Sequence, residues 1–137
     1  MKKGIALITV IFVIAAFSVL GALLAKIVYN HYASASNVFA RAQAFYLAEA
    51  GLEKGKVELA HNPNWFTDPP YYIADSVPWL VHYAVGQRMD LGPGYFKIIR
   101  GKGKKYFYSV GYKHKAVVVL KMTFSSPPFT SLKWQEL

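Results

Sequence analysis

The sequence predicts an α+β fold. A long N-terminal helix, membrane-spanning in its first half, packs in its second half against a small antiparallel β-meander. Three observations lead there. Residues 5–25 contain no charged side chain, and no proline occurs before Pro63. After Lys26 the composition turns amphipathic without any helix-breaking residue. From Gly94 onward, side chains alternate in character between clusters of turn residues.

The apolar run comes first. At 1.5 Å per residue, residues 5–25 cover the roughly 30 Å of a hydrocarbon core. With no proline to interrupt it, the helix is expected to continue beyond that core. Lys2 and Lys3 precede the run and Lys26 follows it alone, which places the N-terminus on the cytoplasmic side. A secretory signal has a shorter apolar core and a small-x-small cleavage site. Here the run ends in Leu23, Leu24 and Ala25, a poor site, and Ala33-Ser34-Ala35 lies too far downstream. The run is therefore read as an anchor.

Residues 26–60 read as an amphipathic packing helix. Val38, Ala42, Phe45, Glu49, Leu52, Lys56 and Leu59 recur in alternating steps of four and three, a seam broken by two charges. Small residues are abundant, among them Ala33, Ser34, Ala35, Ser36, Ala40, Ala42, Ala44, Ala48, Ala50, Gly51 and Gly55. Small residues let helices approach closely, and they serve equally to seat a helix on its own sheet. Gly51 and Gly55 each cost about 1 kcal/mol relative to alanine in a helix interior, which softens the last turns. The helix is expected to stop at residues 60–62, because Asn62 precedes Pro63.

Residues 61–93 read as an irregular connection in which aromatics among prolines pin a loop to a core, a ligand platform being the rival reading, with a short strand or helical turn at 79–85. The meander occupies 94–124. Its strands are Tyr95–Arg100, Lys105–Tyr112 and Ala116–Phe124, separated by Gly101-Lys102-Gly103-Lys104 and by Lys113-His114-Lys115. Such a meander needs a cover, and the outer half of the helix supplies it. Residues 125–137 form a polar, proline-broken tail with two alternatives: it is frayed, or Phe129 and Trp134 dock it onto the sheet.

Composition excludes several chemistries. The chain has no cysteine, so disulfides, thiolate metal sites and cysteine nucleophiles are absent. The acidic residues form no catalytic dyad, and His31, His61, His82 and His114 lack metal-ligand spacing. No serine sits in a nucleophile elbow. Asp68, Asp75 and Asp90 match no calcium loop. The expectation is a non-enzyme with no cofactor and no metal.

The N-terminus carries a sharper pattern. Lys2-Lys3-Gly4 followed by Ile5 and a long apolar helix resembles the type IV prepilin signal. The segment Ala42-Gln43-Ala44-Phe45-Tyr46-Leu47-Ala48-Glu49-Ala50-Gly51-Leu52-Glu53 is similar to that of minor pilins of the PilX type and related pseudopilins. Together these signatures cover residues 1 to about 60. The resemblance implies a leader of residues 1–4, cleavage after Gly4 by a prepilin peptidase, and N-methylation of Ile5. It implies an inner-membrane precursor and then an extracytoplasmic filament, with other pilin or pseudopilin subunits as partners. Ala42, Phe45, Ala48, Glu49, Gly51 and Leu52 would serve assembly. Thr9 stands where the major-pilin pattern has a glutamate thought to pair with a neighbour's terminal amine. An amine without that partner is costly in hydrocarbon. A subunit with threonine there suits initiation, priming or tip capping better than the repeating shaft. Thr9 is also expected to bond back within its own helix.

The chain's formal charge is +9. Lys97, Arg100, Lys102, Lys104, Lys105, Lys113 and Lys115 fall between Asp90 and Glu136, with tyrosines interleaved. They outline a patch for an anionic ligand such as DNA, bound by phosphate pairing and base stacking. The bland reading is a lysine-solubilised hairpin. The patch defines the rival function: a single-pass anchored binding module presenting a basic β-head, without a filament.

Overall fold

The computed structural model describes residues 2–67, 75–125 and 132–137. Helix α1 runs Lys2–His61 and is followed by α2 (Val77–His82). The strands are β1 (Gln87–Leu91), β2 (Gly94–Ile99), β3 (Tyr106–Lys113), β4 (Ala116–Phe124) and β5 (Leu132–Glu136). The chain divides into two units, residues 1–37 and 38–137.

In the first unit α1 is apolar over residues 5–25 and, from Gly4 onward, exposed apart from half-buried Ala33. It is long and apolar enough to cross a membrane, with a mean hydropathy of 2.8 over its most apolar window. The two hydroxyls in the apolar run are satisfied locally. Thr9 Oγ1 donates to the Ile5 carbonyl at 2.9 Å and Ser18 Oγ to that of Ile14 at 2.8 Å. Apolar surroundings offer such hydroxyls no other acceptor, so back-bonding to the preceding turn follows.

The second unit is a five-stranded antiparallel meander in the order β1-β2-β3-β4-β5, packed against the C-terminal part of α1. The helix end follows from its sequence. The Asn62 amide closes the last turn on Glu58 at 2.9 Å, and Pro63 stops propagation. On the α1 face, Phe96, Ile98, Phe107, Val118, Leu120, Met122 and Phe124 pack with Ala44, Leu47, Ala48, Leu52 and Leu59. The register places these strand residues on one side: Phe96 opposes Gly111, Ile98 opposes Ser109, and Phe107 opposes Met122.

Close approach is achieved with glycines on both partners. A Cβ at Gly111 would collide with the Ala44 carbonyl and the Ala48 amide, which are backbone atoms that cannot rotate away. One at Gly51 would meet Ser109 and Phe96, and one at Gly55 would meet the Phe107 ring. Gly51 and Gly55 therefore have a packing role near the end of α1. Both are buried in the helix–sheet contact, and α1 continues past them to His61.

Three features differ from expectation. The connection at 61–93 is not wholly irregular, since it contains α2 and β1. Pro78 lies in the first turn of α2, where its missing N–H costs nothing. Second, β1 and β5 extend the sheet at both edges. Gln87–Leu91 alternates Met89 and Leu91 with Arg88 and Asp90, a strand signal hidden by its shortness. Third, the sheet has two buried faces. Ile99, Tyr108, Val110 and Val119 point away from α1 and pack with Leu80 of α2 and Ala84. The tyrosines of β3 thus belong to a second core. Tyr71, Tyr72, Asp68 and Phe129 lie outside the described residues.

Two substitutions test the helix–sheet contact. Gly111→Ala should lower stability by about 2 kcal/mol or more, because backbone must move to admit the methyl. Ser109 Oγ is fully buried with no hydrogen-bond partner among the described residues. Ser109→Ala should therefore be neutral, or stabilising by about 1 kcal/mol. Thermal unfolding of the detergent-solubilised full chain, followed by near-ultraviolet circular dichroism, reads both.

Candidate functional site

The residues singled out in the sequence separate into three groups. Gly4 and Ile5 lie in α1 and are exposed. A Cβ at Gly4 would meet nothing within 4 Å, so packing within the chain does not require glycine there.

The seam of α1 splits in two. Ala48, Gly51 and Leu52 are buried against the chain's own sheet, so they already have a partner. Leu59 is buried with them. Ala42 and Glu49 remain exposed and Phe45 half-buried, along a groove between α1 and β5. That groove consists of two adjoining hollows that share Phe45, one of them lined by Val38, Arg41, Ala42, Phe45, Tyr46 and Glu136. The other is lined by Phe45, Glu49, Leu52, Glu53, Lys56 and Trp134, with Leu120 and Met122 as floor. The Trp134 and Phe45 rings meet edge-on with centroids 6.0 Å apart, and Arg41 Nη2 bonds Glu136 Oε1 at 2.9 Å. These contacts hold β5 beside the helix, the docked one of the two alternatives for the tail. The Arg41–Glu136 pair spans 95 residues and leaves no local trace in the sequence.

Glu49 stands apart electrostatically. Among the described residues Glu53 pairs with Lys56, Glu58 with Lys54, Asp90 with Arg88 and Glu136 with Arg41. Asp75 accepts the Tyr108 hydroxyl. Glu49 is the one described side-chain carboxylate with neither an ion pair nor a hydrogen bond.

The basic residues do not form one patch. Lys97, Arg100 and Lys113 are buried, with 8%, 4% and 6% of their surface exposed. Each is tied to backbone carbonyls. Lys97 Nζ donates to Val81 at 3.1 Å and Ala84 at 2.6 Å, closing the C-terminal end of α2. The Arg100 guanidinium donates to the carbonyls of Pro63, Trp65 and Lys104, and lies 5.2 Å from the Phe124 ring centroid. Lys113 Nζ donates to Pro93 at 3.3 Å, across the β1–β2 turn. Burial lowers the Lys97 and Arg100 pKa values from their ordinary range. Lys102, Lys104 and Lys105 stay exposed at the β2–β3 turn, and Lys115 at the β3–β4 turn. Those turns lie at opposite ends of β3, whose eight residues span about 26 Å.

The tyrosines are likewise engaged. Tyr95 and Tyr112 stack at 4.5 Å with Arg88 3.8 Å above the Tyr95 ring. The Tyr112 hydroxyl donates to Val81 at 2.8 Å. Lys121 lies 4.5 Å from the Tyr106 ring centroid and 5.4 Å from that of Tyr108. Burial raises both the Tyr108 and Tyr112 pKa values, with Asp75 adding to the rise at Tyr108 and Tyr95 to that at Tyr112. Among the described residues no three His, Asp or Glu side chains converge on a metal-sized site.

No family model, curated protein or solved structure matches this chain. The order of elements, a long apolar N-terminal helix and then an antiparallel sheet, is compatible with a pilin-like fold.

Arg100→Met leaves three carbonyls without their donor and should cost about 2–4 kcal/mol. Arg100→Lys should fall between, since one ammonium cannot reproduce the fork. Melting temperatures check the order. The tyrosines set an alkaline limit. Below pH 10 Tyr108 and Tyr112 are neutral in both states, whereas above it the unfolded residues ionise and the folded ones hold their protons. Stability contributed by their burial is thus lost as pH climbs above 10. Lys97 acts in the opposite sense below its ordinary 10.5, because the unfolded chain binds the extra proton there. Urea titrations from pH 8 to 11 should show the alkaline fall, flattened in Tyr108→Phe and Tyr112→Phe.

Proposed function

We propose that this protein is a structural subunit of a type IV pilus-like filament, a minor pilin or pseudopilin cleaved after Gly4. The observation carrying this reading is one helix, Lys2–His61, that combines a membrane-length apolar run with a stretch clad by an antiparallel meander. The prepilin-like leader and the segment from Ala42 to Glu53 support it. In this role the apolar run holds the subunit in the inner membrane until assembly machinery lifts it into a bundle of parallel helices. Thr9, satisfied by its own helix, carries no carboxylate for a neighbour's terminal amine. That favours initiation, priming or capping over the repeating shaft.

The rival, an anchored module binding DNA or another anionic surface, is weakened by the geometry. Lys97, Arg100 and Lys113 hold loops together, and the exposed lysines are divided between two ends of the sheet. Mass spectrometry of the mature chain decides between the readings. The filament reading expects an N-terminus at Ile5 bearing a methyl group. An intact Met1, or a start at Ser36, overturns it.

A further inference from the structure

The geometry points to a head-to-tail contact between two copies of this chain, in which the Glu49 groove of one receives the exposed β2–β3 turn of the other. This deepens the filament reading and rests on it. The groove has two characters. Phe45 and Trp134 give it an apolar wall beside Glu49, which has no partner, whereas Arg41 and Lys56 in the lining are paired with Glu136 and Glu53. In a chain of formal charge +9, a lone carboxylate beside exposed aromatic surface selects a cationic, partly apolar occupant.

The same chain presents such an occupant. Lys102, Lys104 and Lys105 are exposed on the β2–β3 turn, and none has a carboxylate partner among the described residues. Beside them Phe66 is 46% exposed, and the Lys102 ammonium lies 6.0 Å from its ring centroid. Lysine and phenylalanine form one projecting knob of mixed character, complementary to the groove in charge and polarity.

A single copy does not satisfy itself. Strand β3 runs antiparallel to α1, placing Phe107 beside Gly55 and Gly111 beside Ala44. The β2–β3 turn therefore lies level with the C-terminal end of α1, while Glu49 and Val38 lie progressively further toward the helix N-terminus. Groove and knob are different surfaces, so the contact is heterologous. A heterologous pair does not close as a symmetric dimer does, so one knob and one groove stay open for neighbouring subunits.

Cysteine-pair cross-linking tests this directly, because the chain has no cysteine to confuse the result. Full-length Glu49→Cys and Lys102→Cys chains, co-expressed and oxidised in membranes, should give a mixed disulfide dimer. Glu49→Cys with His114→Cys, at the opposite turn, should give little. Charge reversal is the independent arm. Glu49→Lys should weaken self-association of the detergent-solubilised full chain about tenfold by sedimentation velocity. Adding Lys102→Glu to that chain should restore most of it. No 49–102 dimer, equal trapping at 114, or association indifferent to the reversal each overturns the contact. The N-terminus measured on the same samples keeps the two ideas apart. Methylated Ile5 without the cross-link sinks the contact alone, whereas intact Met1 with it sinks the filament reading alone.

Discussion

The fold depends on how closely α1 approaches the sheet. At Gly111 strand and helix backbones meet with no side chain between them, and Ala44 and Ala48 offer only methyl groups at the same level. Two steps along the strand Ser109 is accommodated by Gly51, and two more on Phe107 fills the space that Gly55 leaves. The interface is thus a graded wedge, from backbone contact at one end to an aromatic ring at the other. About 1 kcal/mol lost per helical glycine is offset by apolar surface that seals without voids.

Fixing α1 on one face leaves the other to be covered by something small. Six residues of α2 suffice because they are tied down from several sides. Lys97 and the Tyr112 hydroxyl both reach the Val81 carbonyl, and Leu80 is inserted among Ile99, Tyr108, Val110 and Val119. Polar side chains rising through the sheet thus do for α2 what glycine does for α1. They set its position, the one by reach and the other by absence.

Much of this was legible from the sequence. The membrane-length run, the helix stop at Asn62–Pro63 and the central strands are local patterns of charge, proline and alternation. The tail was legible only as a choice between fraying and docking, because a large aromatic in a polar stretch does not show locally what it will meet. What escaped was set by long-range pairing. Lys97, Arg100 and Lys113 look like solvated charges along the chain, and only the fold shows that carbonyls of distant loops surround them. The tyrosine alternation in β3 was visible, but not that α2 would turn its second face into a core. The small residues of α1 were legible as contact-makers, yet no local feature told Ala48, committed to the sheet, from Ala42, left open to the groove.

The three buried cations have one more consequence. Surface ion pairs through carboxylates come apart in acid, as Asp and Glu take up protons near pH 4. A peptide carbonyl has no proton to gain in that range, and lysine and arginine only become more firmly charged. The ties joining β2 to α2, the loop after α1 to the β2–β3 turn, and β3 to the β1–β2 turn are therefore indifferent to acidification. Ties of this kind keep their hold in acid, where loops laced by carboxylates would loosen.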